Sequence, residues 1–248
     1  MIVIISPAKK MKDDIAWMDA QGQPILLKDA KQLIKYLKTL TIPQIQKVLM
    51  CSEKIAQEAY IQYEKMRVTN IGVPAILSYE GIQYQYMAPD VFTDDQFIYV
   101  QKYIRILSGL YGVLKPLDHV MPYRLELHDK IQYQEHHSLY DFWKYKVYKE
   151  IVKEDKEVLD LASAQYSKLL YKYQTNKVRI VKCRFMEENS GICKEKGVYV
   201  KMARGSMIRW LAEENITCLD EVKKFSQDGY LYNEALSSEH EFVYIRKS

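Results

Sequence analysis

Two strand candidates that each stop at a serine indicate a buried sheet. Ile2–Ile5 is a continuous run of β-branched residues and ends at Ser6-Pro7, and Val158–Ala162 is followed directly by Ser163. A continuous apolar run that stops at a turn signal is typical of a strand covered on both faces. The sequence therefore predicts a mixed α/β (α+β) chain in which both serines follow the C-terminal ends of strands, where open α/β sheets bind ligands.

Helical spacing and capping residues alternate with further strand candidates. Thr93 and Gln96 have the spacing of a capping box, and Ser138 has the position of an N-cap. The predicted helices are Asp29–Leu40, Thr41 to about Met66, Thr93–Leu107, Ser138–Ile151, a short helix after Ser163, Ala203–Glu214 and Asp220–Phe225. The further predicted strands are Ala75–Tyr79, Tyr123–Leu127, Val178–Phe185, Gly197–Met202 and Phe242–Ile245, and Asn70–Pro74 is turn-forming.

Length and charge-free stretches bear on domain organisation. The 248 residues are 48% hydrophobic and no repeat or linker divides them, so residues 1–248 are predicted to form a single compact domain.

The longest stretch without a charged side chain, Val68–Tyr79, is shorter than the roughly 20 apolar residues of a membrane span. The first apolar run precedes Lys9 and Lys10, which reverses the order in a signal peptide, so we expect a cytoplasmic location and no membrane partner. We also expect a monomer.

One block of the chain concentrates positive charge. Ser163–Arg184 contains six lysines and arginines and no acidic residue, although the whole chain has a formal net charge of only +4. Tyr166, Tyr171 and Tyr173 are interleaved with these cations. Cations neutralise nucleic-acid phosphates, and aromatic rings stack on unpaired bases. The block favours a nucleic-acid partner, with a merely solvated charged face as the alternative.

A pair of glycines, Gly109 and Gly112, follows the helix predicted to end at Leu107. Paired glycines let main-chain N–H groups approach an anion closely, as in phosphate-binding nests and in the hairpin of helix-hairpin-helix DNA-binding modules. The spacing matches neither the dinucleotide-binding glycine motif nor the Walker loop. A glycine helix C-cap followed by a turn is the alternative interpretation.

Alternation over Tyr123–Glu126 places Arg124 and Glu126 on one side of an extended segment. Arg124 could bind a phosphate there while Glu126 orients it or acts as a base, and an ion pair between the two is the alternative.

Histidines such as His119 and His128 lack the spacing of a three-ligand metal site, and the four cysteines lack CxxC spacing. We therefore expect no metal, no cofactor and reduced thiols.

Several motifs together resemble the YaaA family of bacterial peroxide-stress proteins. They run in the family's order and cover essentially the whole chain. The motifs are Ile4–Lys9, Leu107–Asp118, Pro122–Glu126, Leu139–Trp143, Leu161–Ser163 with Tyr166 and Lys168, Lys201 with Ala203–Gly205 and Met207, and Phe225–Tyr230. Asp160 and Gln165 depart from the family pattern, which has asparagine and glutamate there. A role that needs charge is therefore not carried over to Gln165, although hydrogen bonding is.

The resemblance implies a single mixed α/β fold with a basic cleft and a helix-hairpin-helix-like element. It also implies affinity for DNA and a cellular role in limiting damage when hydrogen peroxide meets free iron. It implies no established catalytic reaction.

The leading hypothesis is a peroxide-stress protein that binds duplex or distorted DNA with little sequence preference. Main-chain N–H contacts are expected from Gly109 and Gly112, stacking or hydrogen bonds from Tyr123 and Tyr166, and phosphate contacts from Ser6, Lys9, Lys115, Arg124, Ser163, Lys168, Lys201 and Arg204. The alternative is an enzyme acting on a nucleotide-like or other phosphate-bearing small molecule in the same cleft, with Glu126 as base and Arg124 as anion clamp. A third hypothesis, direct iron sequestration, requires converging carboxylate and histidine ligands.

Overall fold

The computed structural model describes residues 1–67 and 72–247, and an eight-stranded sheet lies at its centre. The strands of the described chain are β1 (Ile2–Ile5), β2 (Lys10–Met11), β3 (Val73–Pro74), β4 (Tyr79–Glu80), β5 (Ile104–Ser108), β6 (Gly112–Leu114), β7 (His119–Val120), β8 (Glu157–Asp160), β9 (Arg179–Asn189), β10 (Ile192–Lys194), β11 (Leu231–Tyr232) and β12 (Glu241–Lys247). The helices are α1 (Leu27–Leu37), α2 (Ile42–Leu49), α3 (Glu53–Lys65), α4 (Ala75–Ser78), α5 (Ile82–Met87), α6 (Asp94–Tyr103), α7 (Leu139–Trp143), α8 (Lys146–Glu154), α9 (Ala164–Tyr171), α10 (Gly197–Glu213) and α11 (Leu219–Val222).

The large sheet has the strand order β11-β12-β9-β8-β1-β5-β6, with β10 paired to β9. β1 runs parallel to both of its neighbours, and Val3 pairs with Ile104 of β5 on one side and with Leu159 of β8 on the other. Val3, Ile4 and Ile5 are completely buried, as expected for a parallel strand with both sheet faces covered. The mixed α/β class and the buried strand after Met1 are therefore confirmed.

The capping box predicted from Thr93 and Gln96 is present at the start of α6. The Thr93 N–H donates to Gln96 Oε1 over 2.9 Å, and the Gln96 N–H donates to Thr93 Oγ1 over 3.3 Å. The Ser138 hydroxyl likewise accepts from the Asp141 N–H at the start of α7. These helix starts could be predicted because a cap needs only residues within one turn.

Two predicted long helices are each divided by a residue with positive φ. Met50, with φ 47° and ψ 49°, separates α2 from α3, and Lys144, with φ 43°, separates α7 from α8. Neither residue type signals such a conformation in the sequence. The predicted strand Gly197–Met202 is also wrong, because it is the start of α10. Its residues continue a helical period with the buried Val200, Ala203 and Met207.

The two glycines of the central motif lie in a β-hairpin. Ser108 of β5 pairs antiparallel with Gly112 of β6, and Gly112 has a φ of +72°. A Cβ there would lie 2.9 Å from the Trp143 ring, so glycine is needed for both the turn and the packing. The hairpin joins two strands, so the structure does not show a helix-hairpin-helix at this place.

Other predicted segments differ in detail. The predicted strand Tyr123–Leu127 is wrong, because residues 123–126 are not paired with any described strand and Leu127 begins a turn, although Tyr123 and Leu125 are buried as the alternation predicts. Ala75–Tyr79 is mainly the short helix α4, and part of the turn predicted at Asn70–Pro74 lies outside the described residues. Within residues 1–67 and 72–247, every helix is too short or too polar to cross a bilayer.

Candidate functional site

A cleft with a volume of about 490 Å³ opens beside the C-terminal ends of β1 and β8. We call it the strand-end cleft, and its polar lining consists of Ser6, Lys9, Lys10, Glu80, Gln83, Tyr84, Glu126, Ser163, Gln165, Tyr166, Lys201 and Arg204. The chain pairs β5 to one side of β1 and β8 to the other, so the strand order reverses at this point. Open α/β sheets bind ligands at such switch points because the adjoining loops diverge and leave a crevice.

Ser6 and Ser163 connect the two strand ends. The Ser163 N–H donates to Ser6 Oγ over 2.8 Å, and Ser6 Oγ donates to Ser163 Oγ over 3.2 Å. The Tyr84 hydroxyl of α5 donates to the Ser6 carbonyl over 3.0 Å. These bonds fix the loop after β1 against the start of α9 and against α5.

The first turn of α9 borders the cleft. Ser163 is its N-cap in an extended conformation, and both Gln165 and Tyr166 of the first turn line the cavity. The first N–H groups of a helix have no partner within the helix, and they carry a partial positive charge. This end of α9 therefore suits an acceptor or an anion.

The cleft brings together four cations and two carboxylates. Lys9 and Lys10 follow β1, and Lys201 and Arg204 lie on α10. The acids are Glu80 and Glu126. Lys9 Nζ lies 2.8 Å from Glu126 Oε2, so one carboxylate is already paired within the cleft.

A buried carboxylate lies behind Arg204. Asp160 is completely buried at the end of β8, and its oxygens accept from the Ala162 N–H, the Ser167 hydroxyl and the Tyr171 hydroxyl over 2.8, 2.8 and 3.1 Å. Burial raises the pKa of Asp160, while these hydrogen bonds and the charge of Arg204 lower it. Burial lowers the pKa of the Arg204 guanidinium, and Asp160 opposes that effect. Each charge therefore stabilises the other in a buried environment that would disfavour the charged form of either group alone.

Three buried donors in the cleft have no partner among the described residues. They are Gln83 Nε2, Tyr166 OH and Arg204 Nε. Gln83 is 7% exposed and Tyr166 is 3% exposed, so both side chains are more than nine-tenths buried. A buried polar group without a partner costs about 1–3 kcal/mol, and natural proteins keep few of them. All three belong to residues that line the cleft, whereas the other two such atoms among the described residues, His119 Nδ1 and Tyr148 OH, belong to residues outside it.

Gly205 allows α10, which carries Arg204, to pack closely against α5, which carries Gln83. α10 packs against α5, and a Cβ on Gly205 would lie 2.3 Å from the Gln83 carbonyl oxygen. Only glycine permits this approach of the two backbones. The lone glycine in an otherwise helical segment is the sequence signal that could have identified this contact.

Comparison with known proteins places the chain in a family. The family model for peroxide stress protein YaaA matches residues 1–236. The chain belongs to the YaaA family. A UPF0246 protein from Desulfitobacterium hafniense (strain Y51) is 46% identical over 246 residues, covering 99% of this chain and 98% of the relative. UPF0246 proteins from Lachnoclostridium phytofermentans and Limosilactobacillus reuteri (strain DSM 20016) are 42% and 39% identical and are covered over 96% and 98% of their lengths. The recognition made from the motifs is thereby confirmed.

The YaaA-family motifs supply much of the cleft. Seven of the residues singled out in the sequence line it, namely Ser6, Lys9, Glu126, Ser163, Tyr166, Lys201 and Arg204. Glu126 pairs with Lys9 and not with Arg124, which does not belong to the lining. The suggested combination of Glu126 as base and Arg124 as clamp is therefore not assembled in the cleft.

Three other YaaA-motif residues, Tyr123, Arg124 and Gly109, make contacts within the fold and do not line the cleft. Tyr123 is buried, and its hydroxyl bonds to Tyr79 OH over 2.8 Å and to Ser108 Oγ over 2.6 Å, so its ring is not free to stack on a base. The Arg124 carbonyl accepts from the Tyr63 hydroxyl. Gly109 is packed so closely that a Cβ would lie 2.4 Å from the Leu125 carbonyl oxygen.

Two predicted phosphate-binding lysines also lie elsewhere. Lys115 borders a different cavity, and its N–H donates to Asp118 Oδ2 over 2.8 Å. Lys168 Nζ lies 4.9 Å from the centroid of the Tyr140 ring, which is a cation–π contact. Both are family-motif residues, but neither lines the strand-end cleft.

The acid-free block Ser163–Arg184 is compensated by acids from other parts of the chain. Arg179 lies 3.4 Å from Glu157, and Arg184 lies 3.0 Å from Glu195 and 3.2 Å from Glu241. From this block, only Ser163, Gln165 and Tyr166 line the cleft. The local excess of cations is therefore partly neutralised in the fold and is not the source of the charge in the cleft.

Sequence reasoning missed Gln83 and Tyr84 as parts of the site, because α5 carries no charged residue and resembles any short helix. It also did not predict the contact of Gln165 with His128, in which Gln165 Nε2 lies 2.6 Å from His128 Nδ1.

Within residues 1–67 and 72–247, no group of three or more His, Cys, Asp or Glu side chains is arranged to hold a metal ion.

Proposed function

We propose that this peroxide-stress protein acts by binding the phosphate backbone of DNA across the strand-end cleft, with little sequence preference. The observation that carries the proposal is the cluster of four cations that line the cleft. The cleft also contains two carboxylates, and one of them, Glu126, is already paired with Lys9. By covering DNA in this way, the protein would limit damage from peroxide and iron.

The residues around the cleft favour backbone contact over base reading. Lys10 and Lys201 are exposed, and the half-buried Arg204 lines the same cleft as the first turn of α9. Cations and helix N-termini contact phosphates, and such contacts orient a nucleic acid without reading its sequence. Binding of this kind releases counterions, so its affinity falls steeply with salt.

The test is fluorescence anisotropy of labelled duplex and bubble DNA over a range of salt concentrations. The logarithm of affinity should fall linearly with the logarithm of salt, by about 0.9 per phosphate contact on duplex DNA. Lys201→Glu should weaken binding to all sequences alike and reduce the slope by about 1.

Lys177→Glu is the matched control. Lys177 is exposed and precedes β9, so it lies at the opposite edge of the sheet from the cleft. The substitution changes net charge equally, yet should leave the salt slope unchanged. Equal effects of the two variants, or an affinity independent of salt, would reject binding through the cleft.

A further inference from the structure

We propose that the floor of the strand-end cleft is a pocket for a single nucleotide unit, a nucleoside carrying one phosphate. The proposal rests on the three unpartnered donors Gln83 Nε2, Tyr166 OH and Arg204 Nε. For a nucleotide within a strand, the inference also rests on the proposed DNA binding.

The donors determine the chemistry of the ligand. An amide nitrogen and a guanidinium nitrogen can only donate, and a tyrosine hydroxyl can donate as well as accept. The occupant must therefore present several acceptor atoms. Arg204 and the first turn of α9 both line the cleft, and both favour an anion, so one group of acceptors is a phosphate.

The size of the cavity requires more than a phosphate. Its volume of about 490 Å³ lies within the range of roughly 300–1,000 Å³ typical of small-molecule sites. Ile82 and the Tyr84 ring add apolar wall beside the polar groups. A phosphate attached to a sugar and a flat heterocycle supplies the volume and the apolar surface. The carbonyl oxygens or ring nitrogens of the heterocycle supply further acceptors for the unpartnered donors of Gln83 and Tyr166.

The same chemistry can come from two sources, a free mononucleotide or one nucleotide turned out of a DNA strand. A strand nucleotide reaches a recessed pocket only after unstacking, which is easiest at a mismatch or in a single-stranded region. Thermal unfolding with dAMP, dTMP or inorganic phosphate tests the first source. Fluorescence of 2-aminopurine placed opposite a mismatch in a DNA duplex tests the second, because this base brightens when it leaves the stack.

Tyr166→Phe tests the pocket directly. It removes only a hydroxyl that has no partner in the described part of the chain, so the fold should be retained. Tyr148→Phe is the matched control, since the Tyr148 hydroxyl is also buried with no partner among residues 1–67 and 72–247 but lies outside the cleft. Gln83→Leu is a second variant that removes a donor from the same wall.

A mononucleotide at about 100 times its dissociation constant should raise the melting temperature by about 5 °C or more, and inorganic phosphate should raise it less. Tyr166→Phe and Gln83→Leu should weaken binding, or the fluorescence gain, by about tenfold, and Tyr148→Phe should not. A response to either source supports the pocket and identifies the source.

Three results would overturn the proposal. One is the absence of a response to mononucleotides together with no gain in 2-aminopurine fluorescence. The others are equal shifts with inorganic phosphate and with nucleotides, and equal effects of Tyr166→Phe and Tyr148→Phe. If DNA binding with the expected salt slope persists in such a case, the pocket is rejected while the proposed function stands.

Discussion

Ser6 and Ser163 lie 157 positions apart in the chain, yet the Ser163 N–H donates to Ser6 Oγ over 2.8 Å. The contact exists because β1 and β8 are parallel neighbours whose C-terminal ends meet at one edge of the sheet. It holds the loop that carries Lys9 against the helix that carries Tyr166. The candidate site thus depends on a hydrogen bond between two strand ends.

We predict that Ser6→Ala lowers the free energy of unfolding by about 1–2 kcal/mol, because it removes the acceptor of the Ser163 N–H and leaves that group half-buried without its partner. Urea unfolding measures the change. Ser226→Ala, at an exposed serine without a side-chain capping bond, should change stability by less than about 0.5 kcal/mol. Equal stability of Ser6→Ala and the native chain would contradict the importance of this contact.

We predict that Gly205→Ala destabilises the protein by more than about 2 kcal/mol. The added methyl group would lie 2.3 Å from the Gln83 carbonyl oxygen and would push α10 away from α5. Gly197→Ala is the matched control on the same helix, because a Cβ there would have no described residue within 4 Å beyond its own helix and chain neighbours. It should be neutral or slightly stabilising, since alanine has the higher helix propensity. Similar urea midpoints for the two variants would refute the close packing of α5 and α10.

We predict that stability falls as pH rises from about 4 to about 6. Burial raises the pKa of Asp118 to about 6, and it raises the pKa of Asp129 to about 6 as well, both from 3.8. The folded state then binds more protons than the unfolded state in this window, so the free energy of unfolding decreases with pH. Each group contributes at most on the order of 3 kcal/mol.

Asp118→Asn tests this origin. It keeps an oxygen that can accept from the Lys115 N–H but removes the titration, so part of the fall between pH 4 and pH 6 should disappear. Asp13→Asn, at an exposed position, should leave the curve unchanged. Urea unfolding at several pH values makes the comparison, and an unchanged curve for Asp118→Asn would contradict the assignment.

We predict that Lys144→Gly stabilises the protein by about 1 kcal/mol. Lys144 has φ 43° and ψ −133°, a conformation that is strained for a residue with a side chain and relaxed for glycine. Lys172→Gly is the control, because Lys172 has ordinary helical angles. This substitution should lower the free energy of unfolding by about 0.5–1 kcal/mol, because glycine has more conformational freedom in the unfolded chain. The two changes in melting temperature should have opposite signs, and a lower melting temperature for Lys144→Gly would contradict the prediction.

Local features were predictable where their cause lies within a few residues. The strand Ile2–Ile5, the Thr93 capping box and the position of Ser163 at the start of a helix are all confirmed. The break at Met50 was not predictable, because methionine is not a residue type that signals the left-handed conformation it adopts there.

Candidate residues were predictable as a set but not as a site. Ser6, Lys9 and Arg204 were singled out from the sequence and lie in one cleft, whereas Lys115 and Lys168 were singled out equally and lie elsewhere. Residue type identifies a cation able to bind phosphate. Strand pairing and helix packing decide which cations face the same space.

By itself the sequence determined the family, the fold class and the two serines that follow strands, because these depend on motifs and on short apolar runs. Only the tertiary structure decided where the charge acts. It paired Arg179 and Arg184 with acids more than ten residues away, and it brought Lys9 and Arg204 into one cleft beside the buried donors of Gln83 and Tyr166. Electrostatic and hydrogen-bonding partners are set by distance in space, and in a mostly parallel sheet that distance bears little relation to separation along the chain.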